Sequence, residues 1–308
     1  MSRVQVLIST YNGEKYIADQ IDSILGQTYS NISILVRDDA SKDGTVDILK
    51  SYQDKGLIKY YSAEVNTGFR HSFFDLIQNA DKGCQYFIFA DQDDFWMSAR
   101  VENAIRDILE EEEEESTPIL HSCRFINADE KLNKINRKIK ISKPAGLGNS
   151  LIECPFLGFT MLFNKKMLDC LSMITDATDI RGHDMAAVII ACMFGKIITG
   201  NSVDVLYRQH SRNVSGGLGK TWFQEIKIKA KMALSFLSDD TLTKNAYAMY
   251  NVFESIIDDT NRKIFLEFIN RNKSLSNRMR IFRNKEFKRQ TFVDNIIVKT
   301  VFLLGLKY

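Results

Sequence analysis

The feature that most narrows what this chain can fold into is the alternation along its first ninety or so residues. Short apolar runs at residues 4–9, 32–37, 58–62 and 86–90 are rich in Val, Ile, Tyr and Phe and read as buried strands. Between them, residues 14–27, 45–54 and 69–80 carry apolar side chains at three- and four-residue spacing, as amphipathic helices do. Strand–helix–strand repetition implies a parallel sheet with helices on both faces, because each crossover brings the chain back to the same end of the sheet. Ligands bind such sheets beyond the carboxyl ends of the strands. That gathers residues 9–13, 38–44, 66–70 and 91–94 on one rim.

Beyond the alternating part, a helix from about residue 98 runs into the acidic stretch 110–115, read as a solvated helix end, and Pro118 closes it. Strands resume at 119–127 and 158–164, flanking a Lys-, Asn- and Gly-rich excursion near 133–149. From about residue 220 the periodicity is helical throughout. The 308 residues accommodate one large α/β domain with an appendage, or two small domains. A formal net charge of +2 provides no basic field, so no nucleic-acid partner is expected. Five cysteines, odd in number and without CxxC spacing, suit reduced thiols in a cytoplasm. The apolar run at residues 4–8 is too short for a signal peptide, and no uncharged stretch approaches the ~18 residues of a membrane span. A cytoplasmic protein is expected, with at most peripheral contact on the inner face of the plasma membrane.

Chemistry concentrates in two acidic clusters on the rim. Asp91-Gln92-Asp93-Asp94 follows the strand at 86–90, and carboxylates there supply hard oxygen ligands for Mg²⁺ or Mn²⁺. The competing reading is a loop cap with acids in water. Asp38-Asp39-Ala40-Ser41-Lys42-Asp43-Gly44-Thr45 follows the second strand and opens the second helix. Capping explains Ser41, Asp43 and Gly44 but leaves Asp38 and Asp39 free to bond a base or ribose.

Taken in order, Ser9-Thr10-Tyr11-Asn12, Asp38-Asp39-x-Ser41-x-Asp43-Gly44-Thr45, Asn66-x-Gly68 and Asp91-x-Asp93-Asp94 resemble the signature of family 2 glycosyltransferases. The resemblance implies a GT-A-type nucleotide-diphospho-sugar fold: a mainly parallel sheet sandwiched by helices, here with a C-terminal helical appendage. It implies a catalytic domain over 1–219, with a nucleotide-sugar half to about 97 and an acceptor half from about 98. Thr10, Tyr11, Asn12, Asp39 and Asn66 would hold the donor nucleotide. Asp91 would face ribose and metal, Asp93 would be the metal ligand, and Asp94 would stand behind them.

Two later motifs complete the implied site. Arg181-Gly182-His183-Asp184 opens an apolar helix, and an acid there can cap it. In the family that acid is the general base, which assigns Asp184. Tyr207-Arg208-Gln209-His210-Ser211-Arg212-Asn213-Val214-Ser215-Gly216 follows a strand at 202–206. Arg208 and Arg212 suit a diphosphate, and by resemblance His210 would be a further metal ligand. Together these motifs resemble the rhamnosyltransferases of bacterial polysaccharide synthesis. Gly158, Phe159, Thr160 and His183 would shape the acceptor pocket, with Phe159 standing where the family often has a small residue or Cys.

The implied reaction is inverting transfer of a sugar, L-rhamnose from dTDP-L-rhamnose, to a hydroxyl of a cell-surface glycan or a polyprenyl-diphosphate-linked acceptor. Nucleotidyltransfer would want a Gly-rich triphosphate loop after the first strand, and a nicotinamide enzyme would want GxGxxG; neither is present. A non-catalytic scaffold of the same fold is the rival from another class, although Asp91, Asp93 and Asp184 are all retained. In the tail, eight Lys and Arg residues between Arg271 and Arg289 precede an apolar stretch at 292–306. Residues 271–308 therefore suit either an anionic membrane surface or packing against the catalytic domain or a second subunit in a homodimer.

Overall fold

The computed structural model describes residues 1–111, 117–135, 145–210 and 240–305. Strands β1 (Val4–Thr10), β2 (Ile32–Asp38), β3 (Lys59–Ser62) and β4 (Tyr86–Ala90) are mutually parallel, with β1 between β2 and β4. Their connections carry helices α1 (Ile17–Leu25), α2 (Thr45–Asp54) and α3 (Gly68–Gln78). After α4 (Arg100–Glu111) the sheet becomes mixed. Strand β7 (Met161–Asn164) runs antiparallel to both β4 and β6 (Ile119–Ala128). Strand β8 (Lys196–Arg208) lies parallel to β6, and the two-residue β5 (Phe95–Trp96) pairs antiparallel with β8. The resulting order is β3-β2-β1-β4-β7-β6-β8-β5.

The strands are apolar on both sides because both faces are covered. Val4, Val6 and Ile8 of β1 point into one cluster with Ile17, Ile21 and Ile24 of α1, Leu49 of α2, and Val101 and Ile108 of α4. Leu7 points the opposite way, into a cluster with Phe73 and Leu76 of α3. Strand β4 alternates likewise, with Ile88 in the first cluster and Phe87 and Phe89 in the second. This period-two division is what a sheet buried on both faces requires.

The remaining helices all lie on the second face. They are α5 (Leu147–Ser150), α6 (Lys165–Ser172), α7 (His183–Phe194), α8 (Thr241–Phe253), α9 (Asp259–Ile269), α10 (Leu275–Arg283) and α11 (Phe292–Leu304). Helix α7 is buried nearly all round, as its apolar sequence requires. Phe253, Phe265, Phe268, Phe287, Val298 and Phe302 of the C-terminal region join the same cluster as α7. Residues 240–305 therefore share the core on the second face of the sheet, the packing alternative left open by the sequence. The boundary expected near residue 220 lies outside the described residues.

Several tail cations serve this packing. Arg271 is buried and donates to the Phe268 carbonyl and Thr243 Oγ1. Lys299 Nζ donates to the carbonyls of Ile281 and Asn284 that end α10, and burial pushes its pKa down to about 8. Arg289 pairs with Glu153 at 2.8 Å. Among the described residues no helix is long and apolar enough to cross a membrane.

Candidate active site

Strands β1, β2 and β4 end on one rim, and a cavity of about 1370 Å³ opens there. Its walls draw on every rim segment expected from the sequence: Tyr11 and Asn12, Asp39 and Asp43, Asn66 and Gly68, and Asp91 to Asp93. The opposite wall brings Gly158, Phe159, His183, Asp184 and His210.

The rim is tied together by its own side chains. Asp39 is buried and accepts from Arg37, from the Thr67 backbone and hydroxyl, and from the Gly68 N–H at 2.7 Å. Burial alone would raise its pKa, but these donors outweigh burial and hold the carboxyl below the ordinary range. The acid thereby fixes the Asn66–Gly68 turn against β2 while still lining the cavity. Asp38 turns the other way and accepts from the Ser41 backbone and hydroxyl. Asn12 takes a left-handed conformation at φ 48°, which Asn tolerates, and accepts from the Lys42 N–H. Ala40 is also left-handed, at φ 63°, where a Cβ is unfavourable.

Two expected ligand-binding side chains are otherwise occupied. Thr10 is buried, is not among the residues lining the cavity, and donates to Gln92 Oε1 at 2.6 Å. As the last residue of β1 it points inward, and its hydroxyl positions Gln92, which also accepts from the Tyr11 N–H. Arg208 is corrected more strongly. Its guanidinium is buried beneath the acidic loop and donates to the carbonyls of Asp93 and Glu130 and to Asp19 at 2.9 Å. It also lies 4.6 Å from the centroid of the Tyr16 ring. A fork so engaged holds the loop from behind and does not face a diphosphate. Arg212 lies outside the described residues.

The acidic centre is compact. Burial, then the carboxylates of Asp93 and Asp184, push Asp91 up to about 7. His210 Nε2 meets Asp93 Oδ2 at 2.7 Å, with the imidazole stacked on Tyr16. Asp94 is fully buried, accepts from the Arg208 N–H, and is pushed up by burial and its acidic neighbours. Buried Arg100 provides counter-charge to Asp91 and Asp94, stacks on Trp96 at 3.7 Å and donates to the Phe159 carbonyl.

Crowded carboxylates beside an imidazole are an environment that a divalent cation relieves, and both ligand types suit Mn²⁺ or Mg²⁺. Among the described residues no three His, Cys, Asp or Glu side chains converge on one point. Asp93 and His210 would hold such a cation, which would need ligands beyond these two.

Asp184 sits in the first turn of α7 and lines the cavity. The N-cap position is Gly182, without a side-chain bond, and Asp184 Oδ1 instead accepts from the Met185 N–H at 2.8 Å, so the carboxylate satisfies one free donor of the first turn while lining the cavity. A Cβ on Gly182 would come within 2.6 Å of Asp184 Oδ1, so glycine leaves this carboxylate its room. His183 is 5% exposed, stacks on Phe73 at 3.8 Å, and has neither ring nitrogen bonded within the protein. Burial pushes its pKa down to about 4, so the ring is neutral near pH 7. Gly158 and Phe159 share its wall, and a Cβ at Gly158 would collide with His183 Nε2. Thr160 is buried, bonds Ser122 and the Leu157 carbonyl, and lines a second cavity.

An uncharacterized glycosyltransferase of Rickettsia typhi is 34% identical over 172 residues, 53% of this chain and 52% of that protein. The chain thus spans about half the length of that relative. The Escherichia coli UDP-Glc:alpha-D-GlcNAc-diphosphoundecaprenol beta-1,3-glucosyltransferase WfaP is 25% identical over 239 residues, 74% of this chain and 86% of that one. The Shigella flexneri dTDP-rhamnosyl transferase RfbG is 37% identical over 106 residues, 32% of this chain and 35% of that one.

Among solved structures, S. aureus TarS 1-349 in complex with UDP-GlcNAc superposes with a TM-score of 0.57 at 16% identity, covering 99% of this chain and 93% of that one. The Pyrobaculum calidifontis mannosyltransferase PcManGT, in complex with GDP-Man and Mn2+, superposes at 0.51 with 17% identity, covering 99% and 85%. The fold is of the GT-A type. Residues 5–171 match the family model described as Glycosyl transferase family 2, more than half of the 308 residues, and the chain belongs to that family.

Proposed function

We propose that this glycosyltransferase moves L-rhamnose, with inversion, from dTDP-L-rhamnose to a hydroxyl on a growing cell-surface glycan or its polyprenyl-diphosphate-linked precursor. The observation that carries transfer is the single cavity into which the β1, β2 and β4 rim opens opposite Asp184. Rhamnose is supported by the likeness to the Shigella flexneri dTDP-rhamnosyl transferase. The lipid-linked acceptor is supported by the diphosphoundecaprenol in the name of the Escherichia coli relative. That relative favours UDP-glucose as a second reading, because its likeness extends over more of both chains.

In this reading Tyr11, Asn12, Asp39 and Asn66 wall the nucleotide, and Thr10 acts through Gln92. Asp184 takes the acceptor's hydroxyl proton. The acceptor oxygen bonds to the anomeric carbon as the bond from that carbon to the diphosphate oxygen breaks, and the electron pair leaves with the nucleotide. General-base help of this kind is worth roughly 10²–10⁴ in rate. The neutral His183 ring offers an N–H and a lone pair to a sugar hydroxyl. A divalent cation held by Asp93 and His210, with Asp91 beside them, would supply positive charge to the departing diphosphate. Acceptors on a lipid imply work at the inner face of the plasma membrane.

Nucleotide release tests the reading. Purified protein with Mn²⁺ should liberate dTDP from dTDP-L-rhamnose faster than UDP from UDP-glucose. Asp184→Asn should cut turnover by about 10²–10⁴ with an unchanged melting temperature. Use of a GDP-sugar, with no inhibition by dTDP or UDP, would overturn the donor assignment, and a fully active Asp184→Asn enzyme the base.

A further inference from the structure

A second cavity, of about 570 Å³, also reaches Asp184. The two cavities share Asp184, Phe69 and Leu157, so the carboxylate stands in the wall between them. A base in that position serves a hydroxyl arriving from the second chamber and an anomeric carbon held in the first.

The second chamber is lined by three arginines, and they are not equivalent. Arg289 is paired with Glu153 at 2.8 Å, and the Gln290 N–H donates to the same carboxylate. Arg124 donates to the neutral Asn201 Oδ1 at 2.6 Å. Arg181 is exposed; its backbone N–H is fixed by Asn245 Oδ1 at 2.8 Å, a bond from α8. Among the described residues neither Arg124 nor Arg181 has a carboxylate within ion-pair distance. Two guanidiniums without a paired carboxylate, lining a chamber whose wall includes Asp184, offer charge-assisted hydrogen bonds to an anion in the occupant. Phe125 and Phe156 supply apolar wall, and the lining ends at Thr291, next to Phe292, which is 79% exposed.

We propose that this chamber receives the acceptor and is built for one carrying a phosphate or diphosphate group, held by Arg124 and Arg181 while its hydroxyl reaches Asp184. The inference rests on the glycosyl-transfer reading and deepens it by assigning the chamber and the side chains that hold the acceptor's phosphate. Arginine forks bind such groups bidentately, and the C-terminal region takes part by closing the chamber with residues 289–291.

Calorimetric titration of the full chain in EDTA, where no cation can hold a diphosphate on the donor side, tests it. The probes are geranyl diphosphate, inorganic pyrophosphate and geraniol. Both diphosphates should bind and geraniol should not. Arg124→Ala with Arg181→Ala should weaken binding at least about tenfold, since one charge-assisted hydrogen bond accounts for that much. The corresponding lysine pair, which keeps the charge but not the fork, should recover part of the loss, an effect that a merely structural role would not produce. Tighter binding of geranyl diphosphate identifies a lipid-borne acceptor, and equal binding a free phosphorylated one. Diphosphate affinity indifferent to both arginines, or no diphosphate binding at all, overturns the proposal. Donor hydrolysis by the unaltered enzyme reads the parent assignment separately. If it proceeds while the arginines prove irrelevant, only the acceptor inference falls.

Discussion

His210 and Asp93 touch at 2.7 Å although 117 residues separate them, and both belong to loops at strand ends. Such pairs were readable because a carboxylate directly after a buried strand has few structural duties. Expected outcome: Asp93→Ala leaves the fold intact but abolishes Mn²⁺-dependent protection of the enzyme by nucleotide in thermal-shift assays. Retention of that protection would remove Asp93 as a ligand. The sequence misled where the direction of a side chain mattered. Thr10 and Arg208 lie in the right loops, yet one turns inward at the end of β1 and the other is clamped by carbonyls. Gln92, given no role although it lies inside the acidic motif, and Arg100, which no motif announces, organise the acidic loop from within. His183 yields a pH prediction with a definite sign. Its folded pKa of about 4 lies below the ordinary 6.5, so the unfolded chain binds the extra proton between these values. Stability should fall as pH drops through that window, by up to ~3 kcal/mol from this residue. Urea midpoints of wild type and His183→Gln at pH 7, 5.5 and 4.5 should converge on acidification; parallel lines would refute it.

At the scale of elements, β4 and α2 have the limits that the periodicity gives, residues 86–90 and 45–54. Strand β5 was not legible, since two residues carry no period, and neither was the antiparallel direction of β7, because alternation is the same in both directions. The segment 158–160 is a 3-10 turn that delivers Gly158 and Phe159 to the cavity before β7 begins. The C-terminal helices were legible as helices but not as core, because their buried partners lie on α7, far away in sequence. Phe253 tests that partnership: it is fully buried, and its ring centroid lies 5.4 Å from that of Phe194 at the end of α7. Phe253→Ala should cost ~3–5 kcal/mol in denaturant unfolding. A loss under about 1 kcal/mol would mean that the helices contribute little to a common core.

For the whole molecule, the unused surface is one face of α11. Phe292, Val293, Ile296, Leu303 and Leu304 are exposed on it, while Val298, Val301 and Phe302 face the core. Lys273, Arg280, Arg283, Lys285 and Lys288 are exposed in the same C-terminal region. An apolar strip with cations nearby complements an anionic bilayer, each near-surface cation adding about 1 kcal/mol. That arrangement would hold the arginine-lined chamber, which ends at Thr291, close to lipid. Deleting the region from 271 onward is a poor test, since it strips Phe287, Val298 and Phe302 from the core. Phe292→Glu with Ile296→Glu changes only exposed positions, 79% and 51% accessible, and should leave the fold intact. Wild type is expected to sediment with phosphatidylglycerol vesicles and not with phosphatidylcholine, and to be released as salt screens the cations. The double variant should stay in the supernatant. Equal sedimentation of both proteins, or of neither, removes the membrane from this face. Light scattering then gives the other occupant: a wild-type dimer that the two glutamates split into monomers assigns the strip to a second copy of the chain.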